Sequence, residues 1–298
     1  MHDPFPFSVP PQWQHTLGKT VSCAGVGLHT GKAVHLGLCP APAGTGLAFV
    51  RNDSPNKEAK IALHPGAVCQ TRRGTSISNA QGQSLATTEH LLAALTACGV
   101  DNAVIEVSGP EIPAMDGSAK AFVDLIGKAA LVRQNAQRRY IEVRKPVICR
   151  DGKRWVRLEP CTFAKISARI DYPDTLIGDQ SYDFDVTAAG FITDIAPART
   201  FALSHEIKDL RAAGLALGGT LDNCILVDGM GMQNEDALRF ADEFVRHKIL
   251  DILGDMALAG APVLGHFTSN CAGHALNNAL IKTLMDDPTA WRWYQIKG

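Results

Sequence analysis

The order of predicted elements most constrains the fold, because the same order occurs twice along the 298-residue chain. Each half begins with short strands of alternating apolar residues and continues with a helix, a strand and a second helix. No repeat is visible at the level of individual residues. Since a sheet and a helix must each bury an apolar face, we predict an α+β fold of two similar units, each packing two helices on a sheet.

A polar and basic segment separates the two halves. It comprises residues 133–139, with the sequence RQNAQRR. Because linkers between domains are polar and exposed, we interpret this segment as a linker. The predicted domains are therefore residues 1–135 and 136–298.

Composition disfavours several classes of function. A net charge of -1 provides no overall field that would attract nucleic acid or an anionic membrane. The eight cysteines include no CxxC pair, which disfavours a disulfide scaffold or a thiolate zinc finger and indicates a reducing compartment. The proline-rich N-terminus does not resemble a signal peptide, and no apolar run approaches the ~18 residues of a membrane span. We expect a cytoplasmic monomer with no nucleic-acid partner, no transmembrane segment and only transient contact with a membrane surface.

A predicted helix over residues 243–255 carries the first candidate site. His247, Asp251 and Asp255 are spaced at i, i+4 and i+8, which places them one turn apart on one helix face. An imidazole and a carboxylate at this spacing can bind one divalent ion, and the second carboxylate can orient a partner. The alternative is an amphipathic helix whose polar face is solvated.

The pair Glu89-His90, at the start of another predicted helix, provides the second candidate site. Adjacent helical residues point about 100° apart, so one can bind a metal while the other faces a water on it. With His247 and Asp251, His90 completes three ligands of the kind found in catalytic zinc sites, and Glu89 would be the general base. Taken alone, such a pair more often consists of two exposed polar residues.

Other residues add to this hypothesis. His274, at the start of the last predicted helix, is a candidate acid or oxyanion stabiliser if Asp255 favours its protonated form. Lys248 places a cation beside the ligand helix. His29 and His266 stay open, with a structural role favoured. The glycine-rich segment 25–31 is interpreted as a turn between strands rather than a phosphate-binding loop, since no strand–helix context surrounds it.

Several segments together resemble the zinc-dependent UDP-3-O-acyl-N-acetylglucosamine deacetylases of lipid A synthesis in Gram-negative bacteria. The resemblance extends from about Gln14 to the C-terminus. The segments that carry it are GLHTGK (27–32), TEHL (88–91), DN (101–102), EIPAMDGS (111–118), ARTF (198–201), LGGTLDN (217–223), residues 242–255 and GHALNN (273–278).

The resemblance implies hydrolysis of the N-acetyl amide of an acylated UDP-sugar. It implies Zn2+ on His90, His247 and Asp251, with Glu89 as base and His274, supported by Asp255, as its catalytic partner. The scissile carbonyl would be polarised with the help of Thr200, and Lys248 would lie in the substrate cleft.

The resemblance also implies a fold of two β-α-α-β sandwiches with the active site between them. An insert between Thr200 and about Leu226 would form an apolar passage for the acyl chain, with Phe201, Leu217 and Gly219 among the substrate contacts. Phe163 is a candidate for stacking on the uracil.

One position departs from the family pattern. Cys271 stands three residues before His274, where the family has a lysine directed at the substrate phosphates, so this contact would shift to Lys248 or Arg246. Two alternatives remain open. One is a zinc amidase acting on another N-acyl sugar or peptide, and the other is a non-catalytic two-domain binding module.

Overall fold

The computed structural model describes residues 11–54 and 60–296. Most of the proline-rich N-terminal lead-in noted in the sequence lies outside the described residues. The predicted α+β class is confirmed, and the order of strands, helix, strand and helix occurs in both halves.

The first half forms a five-stranded sheet in the order β2-β3-β9-β4-β5, a three-stranded sheet of β6, β7 and β8, and the helices α1 and α2. Alternation of apolar residues explains the main sheet, since Val34, Leu36 and Leu38 of β3 are all buried on its inner face. The elements of this half are β1 (Trp13–Leu17), β2 (Val21–Val26), β3 (Ala33–Pro40), β4 (Leu47–Arg51), β5 (Lys60–Ala62), β6 (Val68–Gln70), β7 (Ser76–Ser78), β8 (Ser84–Leu85), α1 (Glu89–Ala97), β9 (Ala103–Val107), α2 (Lys120–Ala129) and β10 (Leu131–Gln137).

The second half contains a seven-stranded sheet in which β19 pairs with β11, β13 and β14. Strands β12 and β13 form an antiparallel hairpin. The elements of this half are β11 (Tyr140–Val143), β12 (Val147–Asp151), β13 (Arg154–Glu159), β14 (Ala164–Tyr172), β15 (Gly178–Asp185), α3 (Ala188–Gly190), β16 (Phe201–Leu203), α4 (Ile207–Ala212), β17 (Ile225–Asp228), β18 (Gly231–Met232), α5 (Glu243–Met256), β19 (Val263–Asn270), α6 (His274–Asp286) and β20 (Trp291–Tyr294).

The polar segment 133–139 is largely exposed, as expected, but it is a strand and not an irregular linker. Most of it belongs to β10, which pairs with β1 from the start of the chain. Arg138, just beyond the strand, is buried and forms an ion pair with Asp101 at 2.7 Å. Polar side chains did not prevent strand formation, because the β1 ladder satisfies the backbone groups of β10 and the ion pair compensates the buried charge. The division into domains at residues 135 and 136 stays a prediction.

Helix α5 is buried on both of its faces. It packs on α1 of the first half as well as on α6, β14 and β15 of its own half. His247, Asp251 and Asp255 are each less than 5% exposed, so the alternative of a solvated polar face is wrong. The helices therefore lie between the two sheets, and the polar groups of α1 and α5 face one another there.

No helix in the described part of the chain has the length and apolar character that crossing a bilayer requires.

Candidate active site

Helix α1 begins at Glu89, and its first two residues are buried functional groups. Glu89 is 3% exposed and His90 is 7% exposed. The Thr88 hydroxyl, just before the helix, does not cap it and instead donates to the carbonyl oxygen of Thr75 at 3.2 Å. The helix start is thereby tied to the segment that precedes β7.

His90 meets His247 and Asp251 of α5 across the interface between the two halves. The Asp251 Oδ1 atom lies 3.6 Å from His90 Nε2 and 3.5 Å from His247 Nε2. The three donor atoms all lie within 4.8 Å of one another, and all three residues are buried. This is the ligand set predicted from the sequence, brought together from two helices.

The protonation state of His247 suits a metal ligand. Its Nδ1 lies 3.0 Å from the carbonyl oxygen of Ala198, which can only accept, so Nδ1 carries the proton. Burial lowers the pKa of His247 to about 3, which keeps the ring neutral. The Nε2 lone pair is therefore free and directed toward Asp251 and His90.

The two carboxylate oxygens of Asp251 have different partners. Oδ1 faces the two imidazoles, whereas Oδ2 accepts a hydrogen bond from Lys248 Nζ at 2.8 Å. Burial opposes ionisation of Asp251, but the Lys248 ammonium outweighs it and holds the pKa of the carboxyl well below its usual range. Asp251 is thus an ionised carboxylate that presents one oxygen to the two imidazoles.

These donors fit a divalent metal. Two imidazole nitrogens and one carboxylate oxygen are the protein ligands of many catalytic zinc sites, which keep a fourth position for water or substrate. An oxygen-preferring ion such as Mg2+ would require more carboxylate or carbonyl ligands.

Glu89 is held beside this ligand set by the backbone before β7. Its Oε2 accepts a hydrogen bond from the amide of Thr75 at 3.0 Å. Burial raises the pKa of Glu89, although the charge of His274 acts in the opposite direction. The raised pKa makes this carboxylate a stronger proton acceptor than an exposed one.

His274 and Asp255 form a charged pair. His274 Nδ1 donates to Asp255 Oδ2 at 2.8 Å, and its Nε2 lies 3.8 Å from Glu89 Oε1. Burial opposes protonation, but Asp255 prevails and raises the pKa of His274 to about 10. The imidazolium is therefore the dominant form at neutral pH and can donate a proton from Nε2.

Two contacts of Asp255 were not predicted from the sequence. Thr75 Oγ1 donates to Oδ1 at 2.6 Å, and Asn277 Nδ2 donates to Oδ2 at 2.8 Å. Asn277 lies within the GHALNN motif and one turn after His274, so its spacing could have indicated this contact. Thr75 has no motif, and only the tertiary structure brings it here.

The segment leading into β16 runs along α5 and brings Phe201 next to His247, with Thr200 immediately before it. It is anchored by Arg199, whose backbone amide and guanidinium both donate to the buried carboxylate of Glu243. The amide of Thr200 donates to Gly117 at 2.9 Å. The Phe201 ring lies edge-on to His247 at 6.5 Å, with Lys248 Nζ 5.2 Å from its centre.

The predicted insert forms a β-α-β unit, in which β16 and β17 are parallel and α4 connects them. Leu217 and Gly219 follow α4 and lie against the glycine-rich turn at 27–31. Leu217 donates its amide to the carbonyl of His29 at 3.1 Å. The turn interpretation of 25–31 is confirmed, since β2 and β3 flank it, and His29 joins that turn to the insert.

Three other predicted residues lie elsewhere or have other partners. Phe163 lines a cavity of about 440 Å³ whose walls include Thr96 and Met256, near the C-terminal ends of α1 and α5. None of His90, His247 and Asp251 lines that cavity. Arg246 is held by Asp242 at 2.6 Å and by the rings of Tyr182 and Phe240, so it is not free to replace the family lysine. The Cys271 thiol lies 3.9 Å from an Arg169 nitrogen.

The fold and the site define an α+β protein with a buried His-His-Asp group that could hold a metal ion. The Glu89 carboxylate and the protonated His274 imidazole flank this group, an arrangement typical of metal-dependent hydrolases. The family model for UDP-3-O-acyl N-acetylglycosamine deacetylase matches residues 14–286. The chain belongs to this family.

Similar proteins named UDP-3-O-acyl-N-acetylglucosamine deacetylase occur in several bacteria. The chain is 46% identical to the one from Phenylobacterium zucineum over 280 residues, which cover 94% of this chain and 96% of that protein. It is 44% identical to the one from Acidithiobacillus ferrooxidans, over 94% of this chain and 92% of that protein. Identity to the Neisseria meningitidis protein is 42%, over 93% of this chain and 92% of that protein.

Proposed function

We propose that the protein hydrolyses the N-acetyl group of a UDP-3-O-acyl-N-acetylglucosamine and releases acetate. The observation that carries this proposal is the convergence of His90, His247 and Asp251 beside Glu89 and His274 in a member of this deacetylase family. A non-catalytic module has no use for a buried base and a buried acid aligned within 4 Å of each other.

We infer that the metal is Zn2+, held by His90, His247 and Asp251. When bound, such an ion activates a water and polarises the carbonyl that the water attacks. The ligand set supports zinc because it combines two borderline imidazole nitrogens with a single carboxylate oxygen.

The proton transfers are assigned to two residues of the chain. Glu89 accepts a proton from the attacking water through Oε1, since its Oε2 is occupied by the Thr75 amide. His274 donates the Nε2 proton to the departing glucosamine nitrogen, while Asp255 on the opposite ring nitrogen keeps the imidazolium in place. The neutral amine can then leave, because its nitrogen has acquired a proton.

The remaining side chains bind and orient the substrate. Thr200 polarises the scissile carbonyl, and Lys248 presents its ammonium to the cleft while it orients Asp251. Phe201 packs over the ligand helix, and Leu217 and Gly219 line the insert that receives the acyl chain. We further propose that the protein acts as a monomer, because one chain supplies every residue named here. The predicted cytoplasmic location and transient membrane contact stay predictions.

An assay of acetate release from the acylated UDP-sugar tests the proposed function. We expect one acetate for each free amine formed, and no release from the substrate after the metal is removed. An N-acetyl sugar without the UDP group and an N-acetyl peptide serve as comparisons. Faster hydrolysis of either would favour the zinc amidase of different specificity.

A further inference from the structure

Thr75 contacts both carboxylates of the proton-transfer machinery. Its backbone amide donates to Glu89 Oε2 at 3.0 Å, and its hydroxyl donates to Asp255 Oδ1 at 2.6 Å. The second bond joins residues separated by 180 positions and crosses from the first half of the chain to the second. Thr75 is 1% exposed, so water does not compete for either bond.

These two bonds determine which oxygens remain for chemistry. With Oε2 occupied, Glu89 presents Oε1 toward His274 Nε2, 3.8 Å away. With Oδ1 occupied by the hydroxyl, Asp255 presents Oδ2 to His274 Nδ1. Because Asp255 accepts from fixed donors on both oxygens, it cannot rotate without breaking a charge-assisted hydrogen bond.

The backbone around Thr75 is itself constrained. Its carbonyl oxygen accepts from both the amide and the hydroxyl of Thr88 at the start of α1. Gly74 has a φ of +150°, and a Cβ there would lie 3.0 Å from Glu89 Oε1. The chain thus passes close over Glu89 at the position where Thr75 reaches across to Asp255.

We propose that Thr75 is a positioning residue that aligns the base Glu89 with the acid His274, through its amide on Glu89 and its hydroxyl on Asp255. This rests on the proposed function for the roles of Glu89 and His274. The hydroxyl is the part that substitution can remove, since the amide belongs to the backbone. Misplacement of reacting groups by about 1 Å can reduce a rate about a hundredfold, so loss of one orienting bond is expected to affect kcat.

Thr75→Val tests the proposal, because valine retains the shape and the amide but lacks the hydroxyl. We expect kcat to fall about tenfold or more, with KM and the metal content close to those of the unaltered protein. Thr75→Ser retains the hydroxyl and should restore most of kcat. Thr16→Val is the matched control, since the Thr16 hydroxyl is also buried and bonded, to Asn102 at 2.7 Å, but lies away from the site.

A double-mutant cycle examines whether the effect passes through Asp255. In an Asp255→Ala background the Thr75 hydroxyl has lost its acceptor, so Thr75→Val should cause little further loss of kcat. If Thr75→Val reduced kcat by the same factor in the Asp255→Ala protein as in the unaltered protein, the proposal would be overturned. It would also be overturned if Thr75→Val left kcat unchanged, lost metal in step with activity, or behaved like Thr16→Val.

A measurement without substrate separates this proposal from the proposed function. The Nδ1–H proton of His274, assigned by its absence in His274→Gln, gives an NMR signal that reports the hydrogen bond to Asp255. We expect Thr75→Val to shift or broaden this signal and Thr75→Ser to restore it. An unaltered signal in Thr75→Val would overturn the positioning role. A shifted signal in a protein that releases no acetate would overturn the proposed function alone.

Discussion

Gly254 of α5 lies directly against the backbone of Glu89 at the start of α1. A Cβ atom at position 254 would be 2.0 Å from the carbonyl oxygen of Glu89 and 2.7 Å from its Cα, distances that no side chain can occupy. The absence of a side chain therefore lets the two helices approach closely. This approach brings Glu89 and His90 to His247 and Asp251.

Gly254→Ala should disrupt both stability and activity. Alanine is the better helix former by about 1 kcal/mol, but the clash is with backbone, which can be relieved only by separating the helices. We expect a loss of about 3 kcal/mol in the free energy of unfolding, together with weaker metal binding. Chemical denaturation and metal analysis measure the two effects.

Gly37→Ala is the control for this substitution. A Cβ at position 37 would be 3.6 Å from the Glu106 side chain, which is ordinary contact distance. In a strand, glycine to alanine is neutral or stabilising by up to about 1 kcal/mol. Equal effects of the two substitutions would show that the close approach of α1 and α5 is not what Gly254 provides.

Glu89→Gln should separate catalysis from metal binding. Glutamine keeps an oxygen for the Thr75 amide but cannot accept a proton from water, so kcat should fall by about 10²–10⁴ while the metal content is retained. The exposed Glu106→Gln, on β9, should leave kcat unaltered. An active Glu89→Gln protein would reject Glu89 as the base.

The pH dependence of the rate reports on His274. Because Asp255 raises the pKa of His274 to about 10, the acid is protonated below that pH and is lost as the pH rises through it. Asp255→Asn removes the charge that raises this pKa, so the basic limb of kcat/KM should move to lower pH by about 1–3 units. The surface variant Asp124→Asn should not move it, and an unmoved limb in Asp255→Asn would exclude this pairing.

Glu111 should be important for stability rather than for chemistry. This fully buried carboxylate accepts hydrogen bonds from the amides of His29 and Thr30 and from the hydroxyls of Thr30 and Thr87, at 2.8–3.0 Å. In Glu111→Gln the side-chain NH2 group would face some of these donors and could not accept their hydrogen bonds. We expect a loss of about 2–4 kcal/mol in the free energy of unfolding, measured by chemical denaturation.

Glu206→Gln provides the comparison. Glu206 pairs with Arg73 at 2.6 Å, but both side chains are partly exposed, and such pairs contribute about 0–1 kcal/mol. If Glu111→Gln were no more destabilising than Glu206→Gln, the buried carboxylate would not be what holds the turn at 27–31 against the residue before α1, Thr87.

The parts of the site that could be predicted from the sequence are those whose residues lie close to one another along the chain. His247, Asp251 and Asp255 follow the helical period, and His90 adjoins Glu89, so the composition of one face could be inferred before the fold was known. The pairing of the two helices was inferred from the donor types and from the family resemblance, because spacing within one helix contains no information on its partner.

Other features could not be predicted because they depend on tertiary approach. Thr75 reaches Asp255 from 180 positions away, and Gly254 matters only because α1 crosses its helix there. The segment 133–139 was misjudged for a related reason, since its strand is defined by pairing with β1 and not by its own polar side chains. Phe163, a candidate from the family resemblance, lines a cavity with residues at the remote ends of α1 and α5.

The most direct test of the central claim is acetate release by metal-free and zinc-reloaded protein. We predict that the purified protein binds about one metal ion per chain, that a chelator abolishes release from the acylated UDP-sugar, and that Zn2+ restores it. His247→Ala should bind little metal and stay inactive after reloading, whereas the exposed His35→Ala should behave like the unaltered protein. Undiminished acetate release from protein shown to contain no metal would contradict the account.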